Sequence, residues 1–76
     1  MFDMKCSDLK IGEKARIVAI HLDEQKLAKL FHLGVICGEE ILCKFVSPLH
    51  SPIAYQIKGC VFAIRKEDAD SIEVTI

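Results

Sequence analysis

The sequence predicts a mainly β fold, a small and partly open barrel of about five short strands with one short α-helix inserted after the first strand. Three observations carry this reading. Short apolar stretches of period two are separated by frequent turn residues. Helical spacing is confined to the stretch beginning at Asp23. No strand-helix-strand alternation is present of the kind a parallel sheet needs. With 76 residues the chain holds one domain, residues 1–76, because a chain this short buries only roughly 60% of the surface its unfolded form exposes. The hydrophobic fraction of 51% supports a packed core without disulfides or a structural metal. Total stability of about 5 kcal/mol or a little more is then expected, so truncating one buried leucine such as Leu30, at roughly 2–5 kcal/mol, threatens the fold.

In chain order, Ser7-Asp8 forms a turn or short cap ahead of Leu9, and Gly12-Glu13 punctuates the start of the first strand, residues 14–20, which carries Ile17, Val18 and Ile20. The helix follows. Asp23 is its N-cap, Leu22 and Leu27 stand at hydrophobic-staple positions, and Gly34 is the left-handed stop. Leu27, Leu30 and Phe31 share one face at i, i+3 and i+4, and are expected to close the barrel. Residues 39–46 form the second strand, with Ile41, Cys43 and Phe45 on one face and Leu42, Lys44 and Val46 on the other.

Two prolines break the pattern at residues 47–52, which must form a surface loop. Leu49, between them, either folds back onto the core, the preferred reading, or is displayed to a partner. Residues 53–57 and 60–65 flank Lys58-Gly59, the length of a tight hairpin. Ile53, Tyr55 and Ile57 line one face, and Cys60, Phe62 and Ile64 one face of the partner strand. Residues 66–70 make a single turn that carries Ala69 inward. Residues 71–76 close the fold, with Ile72, Val74 and Ile76 toward the core.

Charge and composition narrow the function. Ten basic residues oppose eleven acidic ones, a formal net charge of −1, and the basic residues are scattered, so nucleic acid is not expected as a partner. The N-terminus lacks a basic region followed by a long apolar run, and no stretch approaches the ~20 apolar residues of a membrane span. A cytoplasmic protein without direct membrane insertion is expected, monomeric or weakly homo-oligomeric. The four cysteines, Cys6, Cys37, Cys43 and Cys60, form no C-x-x-C pair and read as free thiols, with Cys43 and Cys60 inside apolar strands.

The residues present no nucleophile beside a base and no phosphate loop, since the glycines at 34 and 38 lack the Lys-Ser/Thr that a P-loop needs. An enzyme is not expected. His21, His32, His50, Cys37 and Cys43 are metal-ligand types, but their spacing matches no zinc knuckle.

Several stretches together resemble the FeoA family, small cytosolic proteins associated with bacterial ferrous iron uptake. The likeness covers almost the whole chain. It comprises Leu9 and Gly12, the helix end Leu30-Phe31-His32-Leu33-Gly34-Val35, Gly38, the Ser47-Pro48-Leu49 to Pro52-Ile53 loop, and Ala63-Ile64-Arg65-Lys66-Glu67-Asp68-Ala69 leading to Ile72 and Val74. The resemblance implies an SH3-like barrel and a non-catalytic accessory role, by contact with the cytosolic part of the membrane GTPase-permease that imports ferrous iron. The same barrel type occurs as the C-terminal domain of DtxR-type metal-dependent repressors, but the 76 residues leave no room for a helix-turn-helix ahead of it, and a free-standing accessory is expected.

Two departures from the family pattern stand out. Cys37 replaces a proline frequent before the second glycine, and His50-Ser51 replaces a frequent Gly-Asp, so the loop is expected to need no positive φ there or to adopt a different turn. The candidate partner-binding residues are Leu33, Val35, Ile36 and Cys37 at the helix end, and Ser47, Pro48, Leu49, His50 and Pro52 in the loop. No cofactor is required. The alternative is a metal-sensing or metal-carrying module that holds a transition metal ion with Cys37, His50 and one further ligand.

Overall fold

The computed structural model describes residues 4–76. Its six strands are β1 (Met4–Lys5), β2 (Lys14–Ile20), β3 (Glu40–Val46), β4 (Ile53–Ile57), β5 (Cys60–Ile64) and β6 (Ile72–Thr75), with helices α1 (Glu24–His32) and α2 (Lys66–Ala69). All pair antiparallel in one sheet of order β1-β6-β2-β3-β4-β5. Beyond the five expected strands, the sheet gains the two-residue β1, which pairs with β6. A strand that short carries no readable alternation.

The sheet curls over one core. Tyr55 on β4 is fully buried, and its hydroxyl donates to the Cys6 carbonyl at 3.2 Å, just beyond β1 at the opposite edge of the sheet. The 3₁₀ turn Cys6–Asp8 is fastened there by the Lys5 N–H donating to Asp8 at 3.1 Å and by the Ser7 hydroxyl donating to Asp70. Ile17, Ile41, Ile53, Ile72 and Val74 complete the centre. Among the described residues the Tyr55 hydroxyl is the polar exception in this core, and no charged side chain is buried. Burial in this apolar centre pushes the Cys6 thiol up to about 12 and also raises Cys43, so both act as small hydrophobes rather than nucleophiles.

Two register shifts decide which side chains face inward. Between Cys43 and Phe45 of β3 the pairing with β4 slips, so Val46 packs against the core and Phe45, expected inside, is 55% exposed. A one-residue slip moves each following side chain to the other face. The second shift, between Ile17 and Ala19 of β2, turns Ile20 rather than Ala19 toward the core, while Val18 faces outward by the ordinary alternation from Ile17. At strand ends the alternation no longer implies burial. Cys60 beside the hairpin turn and Ile76 beyond β6 are exposed, against the expectation that both face inward.

The hairpin is the expected two-residue turn, with Lys58 at φ 50° and Gly59 at φ 84°. Positive φ at both places matches the right-handed strand twist, at a steric cost for Lys58 that Gly59 does not carry. Ala69 is fully buried in α2, as expected. Among the described residues no helix is long and apolar enough to cross a membrane.

Candidate functional site

The helix end is built by its caps. The Asp23 carboxylate accepts from the Lys26 N–H at 2.9 Å, starting α1. At the other end the Val35 N–H donates to the Leu30 carbonyl at 2.9 Å and the Gly34 N–H to that of Phe31 at 3.0 Å, with Gly34 at φ 91°. This is a Schellman closure, in which the second residue past the cap packs on the third residue before it. Here those residues are Val35 and Leu30, both in the core.

That closure corrects two expectations. Val35, a candidate for partner binding, is 1% exposed and is a core residue. The expected apolar stripe also does not close the barrel as a unit. Leu30 is buried, while Leu27 is 38% and Phe31 62% exposed. Nine residues of helix rest on the sheet through Leu30 and the Val35 turn, and Phe31, one residue round the helix from Leu30, is carried away from the core.

The result is an exposed apolar surface around Phe31. On one flank Phe31, Leu27, Ile20, Ile36 and Cys37 line a depression of about 280 Å³. On the other flank Phe31, Leu33, Ile36, Ile57 and Cys60 line a second. Sequence reasoning placed Leu33, Ile36 and Cys37 here but assigned Phe31 and Leu27 to the core. The signal that could have separated them is local, because Leu30 followed by Gly34-Val35 already supplies the contact a Schellman cap requires.

The loop at residues 47–52 begins with a turn in which the His50 N–H donates to the Ser47 carbonyl at 2.8 Å, and the Ser51 hydroxyl accepts from the Lys66 N–H at 3.3 Å. The Ser51–Pro52 peptide is cis. Leu49 is 89% exposed, so it does not fold back onto the core, contrary to the preferred reading. His50 sits at φ 63°. The position therefore keeps a left-handed conformation although glycine is absent, contrary to expectation, at a cost an L side chain meets there.

These two segments do not form one patch. Gly38 precedes β3 and Ser47 follows it, so the length of that strand, roughly 20 Å, separates them. Cys37 and His50 thus stand at opposite ends of β3. Among the described residues no group of three or more His, Cys, Asp or Glu gathers as a metal site. His21 is instead engaged with Glu73 across β2 and β6 at 2.6 Å.

This arrangement, one small curled sheet with a single inserted helix and turns at residues 33–38 and 47–52, can be compared with known proteins. Residues 4–76 match the FeoA domain family. The chain belongs to the FeoA family. Among curated proteins it is similar to a Fe(2+) transport protein A/Fe(2+) transporter FeoB fusion protein of Porphyromonas gingivalis, 30% identical over 96% of this chain. The chain spans only 9% of that relative's length.

Among solved structures, iron(II) transport protein A of Clostridium thermocellum superposes with a TM-score of 0.91 at 38% identity, over 96% of this chain and 45% of that one. FeoA of Stenotrophomonas maltophilia, described as a prokaryotic SH3 domain protein and solved with zinc, gives 0.78 at 25% identity over 93% and 88% of the two chains. The expected SH3-like fold is therefore the family's. IdeR of T. acidophilum gives 0.88 at 25% identity, covering 100% of this FeoA-family chain and 35% of that one.

Proposed function

We propose that this chain is a non-catalytic, cytoplasmic accessory module of ferrous iron uptake that docks on the cytosolic part of a FeoB-type GTPase-permease. One observation carries the reading. In the Porphyromonas gingivalis relative a FeoA-type segment is named as fused to FeoB. Covalent linkage holds two modules at high effective concentration, which serves proteins that also work in contact when separate.

The docking surface is the apolar patch at the end of α1, with Phe31 as its anchor and Leu33, Ile36 and Cys37 beside it. An exposed aromatic set among apolar depressions is the feature that contributes most to a protein interface. Leu49, at the far end of β3, is a second and separable contact.

Binding of the purified cytosolic domain of the cognate transporter to this protein tests the assignment. Phe31→Asp is expected to weaken binding about thirtyfold, corresponding to about 2 kcal/mol, with an unchanged folded spectrum. Wild-type affinity in Phe31→Asp would remove the α1 patch from the interface, and wild-type affinity in Leu49→Asp would remove the loop. No binding by the wild type at micromolar concentration would reject the docking reading itself.

A further inference from the structure

The sheet ends at β5, and that end is open. Of the β5 residues, Cys60, Phe62 and Ile64 stand opposite Ile57, Tyr55 and Ile53 of β4. A two-residue hairpin makes its flanking pair, here Ile57 and Cys60, a hydrogen-bonded pair, and such pairs alternate along the ladder. The N–H and C=O groups of Val61 and Ala63 therefore point outward, away from β4. Among the described residues no hydrogen bond is made to them from outside the sheet.

Natural sheets blunt such edges with charge or proline. The five residues of β5, CVFAI, contain neither.

The edge opens into a groove rather than onto a bare face. Leu30, Leu33, Lys26 and Lys29 of the α1 region face Ala63, Ile64 and Arg65 across a depression of about 430 Å³. Its floor is apolar, from Leu30 and Ile64, and its rim carries the basic Lys26, Lys29 and Arg65 against one acid, Asp68. Lys26 is paired with Asp68 at 3.0 Å. Among the described residues Lys29 and Arg65 have no acidic partner. A strand edge beside a helix, with an apolar floor, is the geometry in which an extended peptide adds to a sheet: its backbone completes the ladder and alternate side chains enter the groove.

We propose that this groove between α1 and β5 takes an extended acidic segment of a partner protein as a seventh strand, hydrogen-bonded to Val61 and Ala63. Alternate apolar side chains of the segment rest on Leu30 and Leu33, and its carboxylates meet Lys29 and Arg65. The basic rim selects against a second copy of this chain, whose own β5 is flanked by Lys58 on one side and Arg65 and Lys66 on the other. The groove lies on the opposite side of α1 from the Ile20 and Cys37 flank of Phe31, and the proposal stands whichever protein supplies the segment.

The test uses the intact, isotope-labelled protein and an acetylated hexapeptide of alternating valine and glutamate, followed by amide NMR and hydrogen exchange. The Val61 and Ala63 amides are expected to shift and to exchange more slowly as peptide is added. The same peptide with lysine for glutamate should bind at least tenfold more weakly, as should the glutamate peptide to a Lys29→Glu/Arg65→Glu variant, whose exposed changes leave the core intact. Ala63→Pro, which removes an outward N–H and no bond to β4, should abolish the Val61 response.

No response of the β5 amides to millimolar peptide would overturn the proposal. So would equal binding of the two peptides, or slowed exchange at Val61 and Ala63 that appears with protein concentration alone and assigns the edge to self-association.

Discussion

Replacing Tyr55 with phenylalanine tests how the curl of the sheet is held. The substitution keeps the buried ring and removes only the hydroxyl that reaches the Cys6 carbonyl at 3.2 Å. A buried carbonyl left without any donor costs about 1–3 kcal/mol, whereas loss of one net hydrogen bond costs about 0.5–1.5 kcal/mol. The smaller figure applies, because the Leu9 N–H also donates to the Cys6 carbonyl, at 3.1 Å, and keeps it satisfied. Tyr55→Phe should therefore lose about 1 kcal/mol, lowering the melting temperature by about 4–8 °C in a domain this small.

Urea unfolding followed by far-ultraviolet circular dichroism measures it, since Tyr55 is the sole tyrosine and the chain has no tryptophan. With a slope of about 1 kcal/mol per molar urea, the midpoint should fall by about 1 M. A loss above about 3 kcal/mol would show that the Leu9 bond does not survive and that the whole 3₁₀ turn depends on the hydroxyl. A loss indistinguishable from zero would show that the hydroxyl does not tie β4 to the N-terminal edge.

Other perturbations separate core from surface. Leu30→Ala should cost about 2–4 kcal/mol by cavity formation, while Phe31→Ala, one residue away and mostly exposed, should cost less than about 1 kcal/mol, both read by the same urea midpoint. Lys58→Asn should stabilise by about 0.5 kcal/mol, because asparagine accepts positive φ more easily, and the exposed Lys58–Glu39 pair it removes, at 3.2 Å, contributes less than that; an unchanged or lower midpoint would show that the pair outweighs the turn.

Stability should also decline in alkali. Burial raises the Cys6 thiol from 9.0 to about 12 and also raises the Tyr55 phenol, so the folded state holds protons that the unfolded chain releases. Their contribution is complete below pH 9.0 and is lost as pH rises toward about 12. Unfolding free energies measured from pH 7 to pH 11 should be flat and then fall, and Cys6→Ala should make the fall shallower while the Tyr55 part remains.

The residues themselves determined most of the architecture. Period-two runs at β2, β3, β4, β5 and β6, the Asp23 cap, the Gly34 stop and the Lys58-Gly59 turn are local devices, whose signals lie within a few residues of the structure they specify. The resemblance that the helix end and the proline-bracketed loop carry led directly to the family.

Tertiary structure decided what faces water. Slips in pairing near Phe45 and Ile20 depend on partner strands distant in sequence: the first turned Phe45 outward and Val46 inward, the second turned Ile20 toward the core. Burial of Val35 and exposure of Phe31 follow from which of two adjacent helical faces meets the sheet, a choice made when Val35 docks on Leu30. Leu49 is displayed because its loop is held by backbone bonds at both ends and finds no apolar surface to cover it. The separation of Cys37 from His50, and with it the division of the candidate surface into two, required knowing that an entire strand lies between them. The open edge of β5 was equally beyond the reach of the sequence, because only the order of strands in the sheet shows which of them lacks a neighbour.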